Sequence, residues 1–146
     1  MNTDRAEQPR ENTTPFRHEW RYEEDTGFIF ARTNGTTDES DAVRYIELYA
    51  RDVPAGEPGF MLCDNRNATD LTAGARKRYA KEWHPTQVYL AGYGQSFASR
   101  VVFNALMQGL ALLRPQYCVT MVATEEEARA WLTDKRRAYL AQKAKP

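Results

Sequence analysis

Cysteine, histidine and net charge are all scarce in this sequence. Twenty basic residues balance twenty acidic ones across 146 positions, so no overall field draws the chain to nucleic acid or to an anionic membrane. The triplets Arg76-Lys77-Arg78 and Lys135-Arg136-Arg137 are too short for a basic stripe and fit solvated helix surface. No stretch approaches the roughly 20 apolar residues of a membrane span, which excludes an integral membrane segment. With no CxxC pair, and with His18 and His84 lacking a neighbouring ligand, no metal site is expected. The two cysteines, Cys63 and Cys118, lie inside apolar runs, where cysteine behaves as a small hydrophobe. Those runs are expected to form strands, and as neighbours they would bring the two thiols close. Residues 1–17 are polar and have no apolar h-region, so they read as a disordered leader and not as a secretory signal. Thiols kept in a leaderless chain point to the reducing cytoplasm.

Catalytic signatures are missing as well. GxSxG is absent, and Ser96 or Ser99 would have only His84 as a base. Cys63 has apolar neighbours instead of the electropositive setting that activates a thiol. Gly92-Tyr93-Gly94-Gln95-Ser96 stands where phosphate-cradling loops stand, but lacks the third glycine of GxGxxG and the Gly-Lys-Ser/Thr of a P-loop. It reads as a tight turn with Ser96 capping the next helix and Tyr93 as an exposed contact residue. Neither a catalytic residue nor a cofactor is expected.

What is present is a regular alternation of short apolar runs and helical periodicity. His18–Tyr22 and Phe28–Thr33 flank an acidic turn ending in Gly27 and read as a hairpin, with Asn34-Gly35 closing the second strand. Thr37 or Asp38 caps a helix through Arg51 whose apolar stripe is Ala42, Tyr45, Ile46 and Tyr49. Pro54–Gly59 breaks the chain, and Phe60–Cys63 is a short run suited to a strand buried on both faces, ending at Asp64. A polar loop, Asn65–Ala68, is expected to lead to a helix starting near Thr69 or Asp70, with Leu71, Ala75, Tyr79 and Trp83 inward and His84-Pro85 at its end. Val88–Ala91 is the next strand. Phe97–Leu113 is a helix whose apolar face is expected to be mostly core, with a homodimer seam or a lipid-cavity wall as the other uses of its excess. Tyr117–Val122 is the last strand, and Thr124 with Glu127 forms a capping box for the final helix.

The order β–β–α–β–α–β–α–β–α resembles the STAS domain of anti-sigma-factor antagonists, and more closely the small SpoIIAA-like, STAS/SEC14-type bacterial proteins. The likeness rests on three pieces: Phe60–Cys63 ending in Asp64 before an Ala/Arg-rich helix, Val88–Ala91 feeding Ser99-Arg100-Val101-Val102, and Tyr117–Val122 followed by Thr124–Leu132. It implies an α/β SpoIIAA-like fold with a mostly parallel mixed sheet of about five strands and about four helices. The domain is expected over residues 18–142, with a frayed tail at 143–146. It further implies a non-enzymatic regulatory module acting through protein contacts, its partner class a kinase-like anti-sigma protein. In the antagonists an Asp-Ser-Ser-Gly segment at a helix start presents a phosphorylatable hydroxyl. Here Thr72-Ala73-Gly74-Ala75 takes that place, so the acceptor falls on Ala73, and only a shifted register makes Thr72 or Thr69 the phosphoacceptor. Asp64, Asn65, Arg66, Thr69, Thr72 and Tyr93 are the expected partner-binding residues. The SEC14-like relatives suggest an alternative, a small-molecule or lipid carrier with a cavity under Phe97–Leu113.

Overall fold

The computed structural model describes residues 16–145. Most of the expected leader, through position 15, lies outside the described residues. Phe16 packs edge-on against His18 and Tyr45, and the Arg17 carbonyl accepts from the Asn34 side chain.

The chain runs β1 (Glu19–Glu23), β2 (Phe28–Thr37), α1 (Glu39–Asp52), β3 (Gly59–Leu71), α2 (Ala73–Glu82), β4 (Val88–Tyr93), α3 (Phe97–Leu113), β5 (Tyr117–Val122) and α4 (Glu125–Lys143). The five strands lie side by side in chain order, with β1 antiparallel to β2 and every later pair parallel. The hairpin joining β1 and β2 closes with Gly27 at φ +74°, its N–H donating to the Glu23 carbonyl. Cys63 and Cys118 are both free and sit on β3 and β5, separated by β4, so the thiols are not on neighbouring strands.

Strand alternation divides the apolar residues between two faces. Phe28 and Phe30 of β2, Phe60 and Leu62 of β3, and Ala91 and Tyr93 of β4 form one cluster with Ala128 and Leu132 of α4. Ile29, Met61 and Val88 form the second with Tyr49 of α1, and Trp83 packs against it. Asp38 caps α1 in a full capping box with Asp41, and the helix buries Ala42, Tyr45, Leu48 and Tyr49. Leu48 therefore takes the inward place expected of Ile46. On α4 the box is half formed: the Glu127 amide donates to Thr124 Oγ1, while the Glu127 carboxylate accepts from the Ala123 N–H. The helix continues to Lys143, the first residue of the stretch expected to fray.

Two further expectations are corrected. Asn65–Ala68 is not a loop and no helix starts at Thr69 or Asp70. Strand β3 runs on to Leu71, because β2 also continues past Asn34-Gly35 to Thr37 and pairs with it, Asn34 opposite Asn67 and Thr36 opposite Asp70. This polar two-stranded ribbon passes beyond the end of β4, its backbone bonds supplied by the partner strand despite weak strand propensity. The second correction is α3. None of its described side chains is buried, so its apolar face is not core. Asn104 explains the orientation: its amide accepts from the Met121 N–H at 2.9 Å and donates to the Met121 carbonyl at 3.0 Å. The side chain thus satisfies the open edge of β5, which leaves the broad apolar side of the helix to solvent.

Candidate functional site

The polar residues of interest gather where β4 ends and β2 and β3 run on as the ribbon. On β2 the alternation that sends Phe28 and Phe30 to the α4 face continues to Arg32, and on β3 the face of Phe60 and Leu62 continues to Asp64. The register sets Arg32 directly beside Asp64. Asp64 is only 1% exposed, yet its carboxylate is well supplied with donors. Arg32 Nε lies 2.9 Å from Oδ2, Arg66 Nη2 2.7 Å from Oδ2, and the Arg66 amide and Nε 3.1 and 3.0 Å from Oδ1. Burial alone would raise the Asp64 pKa; the bonds from the Arg66 side chain and backbone and from Arg32 outweigh it and hold the carboxyl down at about 2. Arg32 also reaches Glu19 at 3.1 Å.

Arg66 is the outward member of this group, its side chain 60% exposed. It stands against the β4–α3 turn, where Gly94 adopts φ +91° and a Cβ would meet the Arg66 backbone nitrogen at 2.9 Å. Gly92 is equally constrained, since a Cβ there would strike Met121 and the Asn65 amide. These glycines serve the turn, and Ser96 caps α3 by accepting from the Ser99 N–H.

Tyr93, expected as an exposed contact residue of this turn, is instead buried as the last residue of β4. Its side chain faces α4, and its hydroxyl donates to Glu125 Oε1 at 2.7 Å. Burial first, and that bond second, push its pKa up. Asp64 likewise cannot touch a partner directly. Beyond Tyr93 the network continues through Glu125 and Arg129 to Glu23, which Arg129 grips with two bonds of 2.9 Å. The hydrogen bond from Arg129 lowers the Glu23 pKa against the opposing effect of burial.

Asn65 is half-buried, whereas Asn67, Thr69 and Asp70 are exposed along the ribbon. Thr69 Oγ1 lies 3.1 Å from Thr36 Oγ1. Thr72 is the N-cap of α2 and accepts from the Ala75 N–H at 3.1 Å, so the first helical residue is Ala73. The six expected residues thus fall into two groups. Asp64 and Arg66 are bonded to one another with the Arg66 guanidinium 5.9 Å from the Tyr93 ring centre, Asn65 flanks them, and Thr69 and Thr72 lie farther along the ribbon. Sequence reasoning missed Arg32, Glu19, Glu23, Glu125 and Arg129. Arg32 had a signal, a charge continuing the period-two apolar face of β2; the Glu23–Arg129 pair, 106 positions apart, had none.

His18 does have an acidic neighbour: it is buried, its Nε2 lies 3.2 Å from Asp41 Oδ2, and its Nδ1 accepts from the Asn34 amide. Among the described residues no three His, Cys, Asp or Glu side chains converge as metal ligands would. Cys63 is packed among apolar side chains, and burial pushes its thiol up to about 12. Among the described residues no helix is long and apolar enough to cross a membrane.

No protein family model and no curated protein matches the chain. The fold, however, has a solved counterpart. An uncharacterized protein of the DUF3478 family from Shewanella loihica PV-4, with a SpoIIAA-like fold, superposes with a TM-score of 0.55 at 15% identity, covering 79% of this chain and 91% of that one. Its likeness is one of fold alone, and it agrees with the mixed five-stranded sheet and four helices described above. The chain is an α/β domain with the SpoIIAA-like fold.

Proposed function

We propose that this domain is a non-enzymatic regulatory module of the cytoplasm that acts through protein contacts where β3 passes the carboxyl end of β4. One observation carries the proposal: a buried carboxylate, Asp64, is saturated by two arginines, one of which, Arg66, projects into solvent beside an exposed polar ribbon. Strand carboxyl ends are where open α/β sheets present ligand surfaces. A guanidinium whose rotamer is already held by a carboxylate loses less freedom on binding than a free one. Arg66, Asn65, Thr69 and Thr72 form the contact surface, with Asp64 and Tyr93 positioning it from beneath. The resemblance to anti-sigma-factor antagonists implies a kinase-like partner, and the Arg66 guanidinium favours acidic or phosphate-bearing groups on it.

Thr72 is the better of the two phosphoacceptor candidates. It stands at the start of α2, whose first turn has no acidic residue, so free N–H groups and the helix dipole favour an added phosphate there. Thr69 is exposed on a strand and lacks that support.

The test is affinity capture from a bacterial lysate with wild-type and Arg66→Ala baits, both checked for equal thermal stability. A partner recovered with the wild type and lost with Arg66→Ala is the expected result. Partners retained equally by both would remove this surface from consideration. The alternative reading, a lipid or small-molecule carrier, draws support from the apolar outer face of α3. Two cavities among the described residues, of about 460 Å³ beside β1 and α1 and about 140 Å³ beside α4, give it no support, since α3 lines neither. A co-purifying ligand seen by native mass spectrometry would revive it.

A further inference from the structure

Helix α3 wears its apolar side outward. Phe97, Val101, Val102, Leu106, Leu112 and Leu113 are between 52% and 87% exposed. At 3.6 residues per turn they span an arc of about 180°, with Gln108 just inside one edge and Ser99 just outside the other. Down the middle of that arc runs a seam of small residues, Ala98, Ala105 and Gly109, with open space around the Gly109 Cα. Outside the arc lie Asn104, tied to β5, and Arg100, the one charged residue of the helix, which is half-buried.

The six large side chains expose on the order of 700 Å², well above the few hundred Å² that monomers usually leave in one patch. A standard interface takes roughly 800 Å² from each partner, so this face amounts to nearly one complete half of such an interface. With no charge on it, the face offers nothing for a charged partner or an anionic membrane to recognise.

The order of large and small residues along the arc is complementary to itself. In an antiparallel crossing with a two-fold axis at Ala105, Val101 of one copy lies over Gly109 of the other. Phe97 then lies opposite Leu113 along the same i±4 ridge, and Ala105 meets its own symmetry mate. Small residues thus receive large ones along the centre of the seam, and apolar ends meet apolar ends, as an isologous interface requires. We propose that α3 is the seam of a homodimer in which two copies cross antiparallel at Ala105. This surface is separate from that of Arg66, and the proposal does not depend on the partner-binding function above.

The test is sedimentation velocity on the full chain over a concentration series, with Ala105→Glu and Ala105→Lys as variants. Ala105 is exposed, so both variants keep the fold, which matching far-UV circular dichroism checks. The wild type is expected to sediment at twice the 16.8 kDa chain mass, and each variant alone at the single-chain mass. An equal mixture of the two variants should return to the doubled mass, because the carboxylate introduced in one chain then faces the ammonium introduced in the other. A wild type that stays at 16.8 kDa throughout overturns the proposal, including one that instead pellets with phosphatidylcholine vesicles. So does a dimer that survives Ala105→Glu, or a mixture that fails to recover.

Discussion

The middle of β3 and the helix α3 depart in opposite directions from the usual division between apolar interior and polar surface. At β3 a carboxylate is buried, and at α3 a row of leucines and valines is exposed. The difference lies in how each is balanced. Asp64 is surrounded by donors from Arg32 and Arg66, so its burial is offset within the chain. The outer side of α3 meets nothing in the described chain that offsets its exposure. One region is closed internally and presents a prepared charge, while the other needs a covering surface from outside. Main-chain demand settles both: Asp64 accepts from the Arg66 amide, and Asn104 completes the edge of β5.

Equivalent truncations in the two regions should therefore have very different effects. Leu62→Ala, two residues before Asp64 and fully buried, should cost about 3 kcal/mol or more in chemical denaturation. A loss below about 1 kcal/mol would mean that β3 is not the centre of the core. Asp64→Ala should cost about 2 kcal/mol: it leaves two guanidinium groups without their acceptor, but both reach solvent and recover part of the loss.

Acid separates the regions in the same way. The folded-state pKa of Asp64, about 2, lies below the roughly 3.9 of an unfolded aspartate. Its contribution is therefore complete above the unfolded value and disappears as pH falls from about 4 to about 2. The wild type should lose about 2 kcal/mol more than Asp64→Asn across that window, and parallel curves would show that the pairing contributes nothing. The smallest effect belongs to α3. Leu112→Ala, at an 87% exposed position, should change single-chain stability by less than about 0.5 kcal/mol when measured in the Ala105→Glu background. A loss comparable with that of Leu62→Ala would show that α3 packs inward.

The order of the elements was legible in the sequence because apolar runs and caps mark strands and helices locally. Phe97–Leu113 and Tyr117–Val122 have the bounds their Ser96 cap, Pro115 stop and apolar content suggest. The ribbon from Asn65 to Leu71 was not legible, since its Asn, Thr and Asp residues favour turns and are held extended only by a strand some 33 positions away. Asp64 and Arg66 stood out as a cluster, but Arg32 enters through strand register and Glu23–Arg129 through the packing of α4 on the sheet. For α3 the apolar content was plain. Which side of the helix is covered depends on the bonds of Asn104 to β5, and no periodicity encodes them.

Two independent contact surfaces are thereby proposed for one chain, Arg66 for a different protein and α3 for a second copy of itself. One quantitative capture experiment reads both. Tagged wild-type, Arg66→Glu and Ala105→Glu baits are co-expressed with untagged chains carrying the same substitution, and the captured proteins are measured by mass spectrometry. Arg66→Glu is expected to lose the foreign partner and keep the untagged copy, while Ala105→Glu loses the copy and keeps the partner. Loss of both in either variant, or of neither in both, would contradict the independence of the two surfaces.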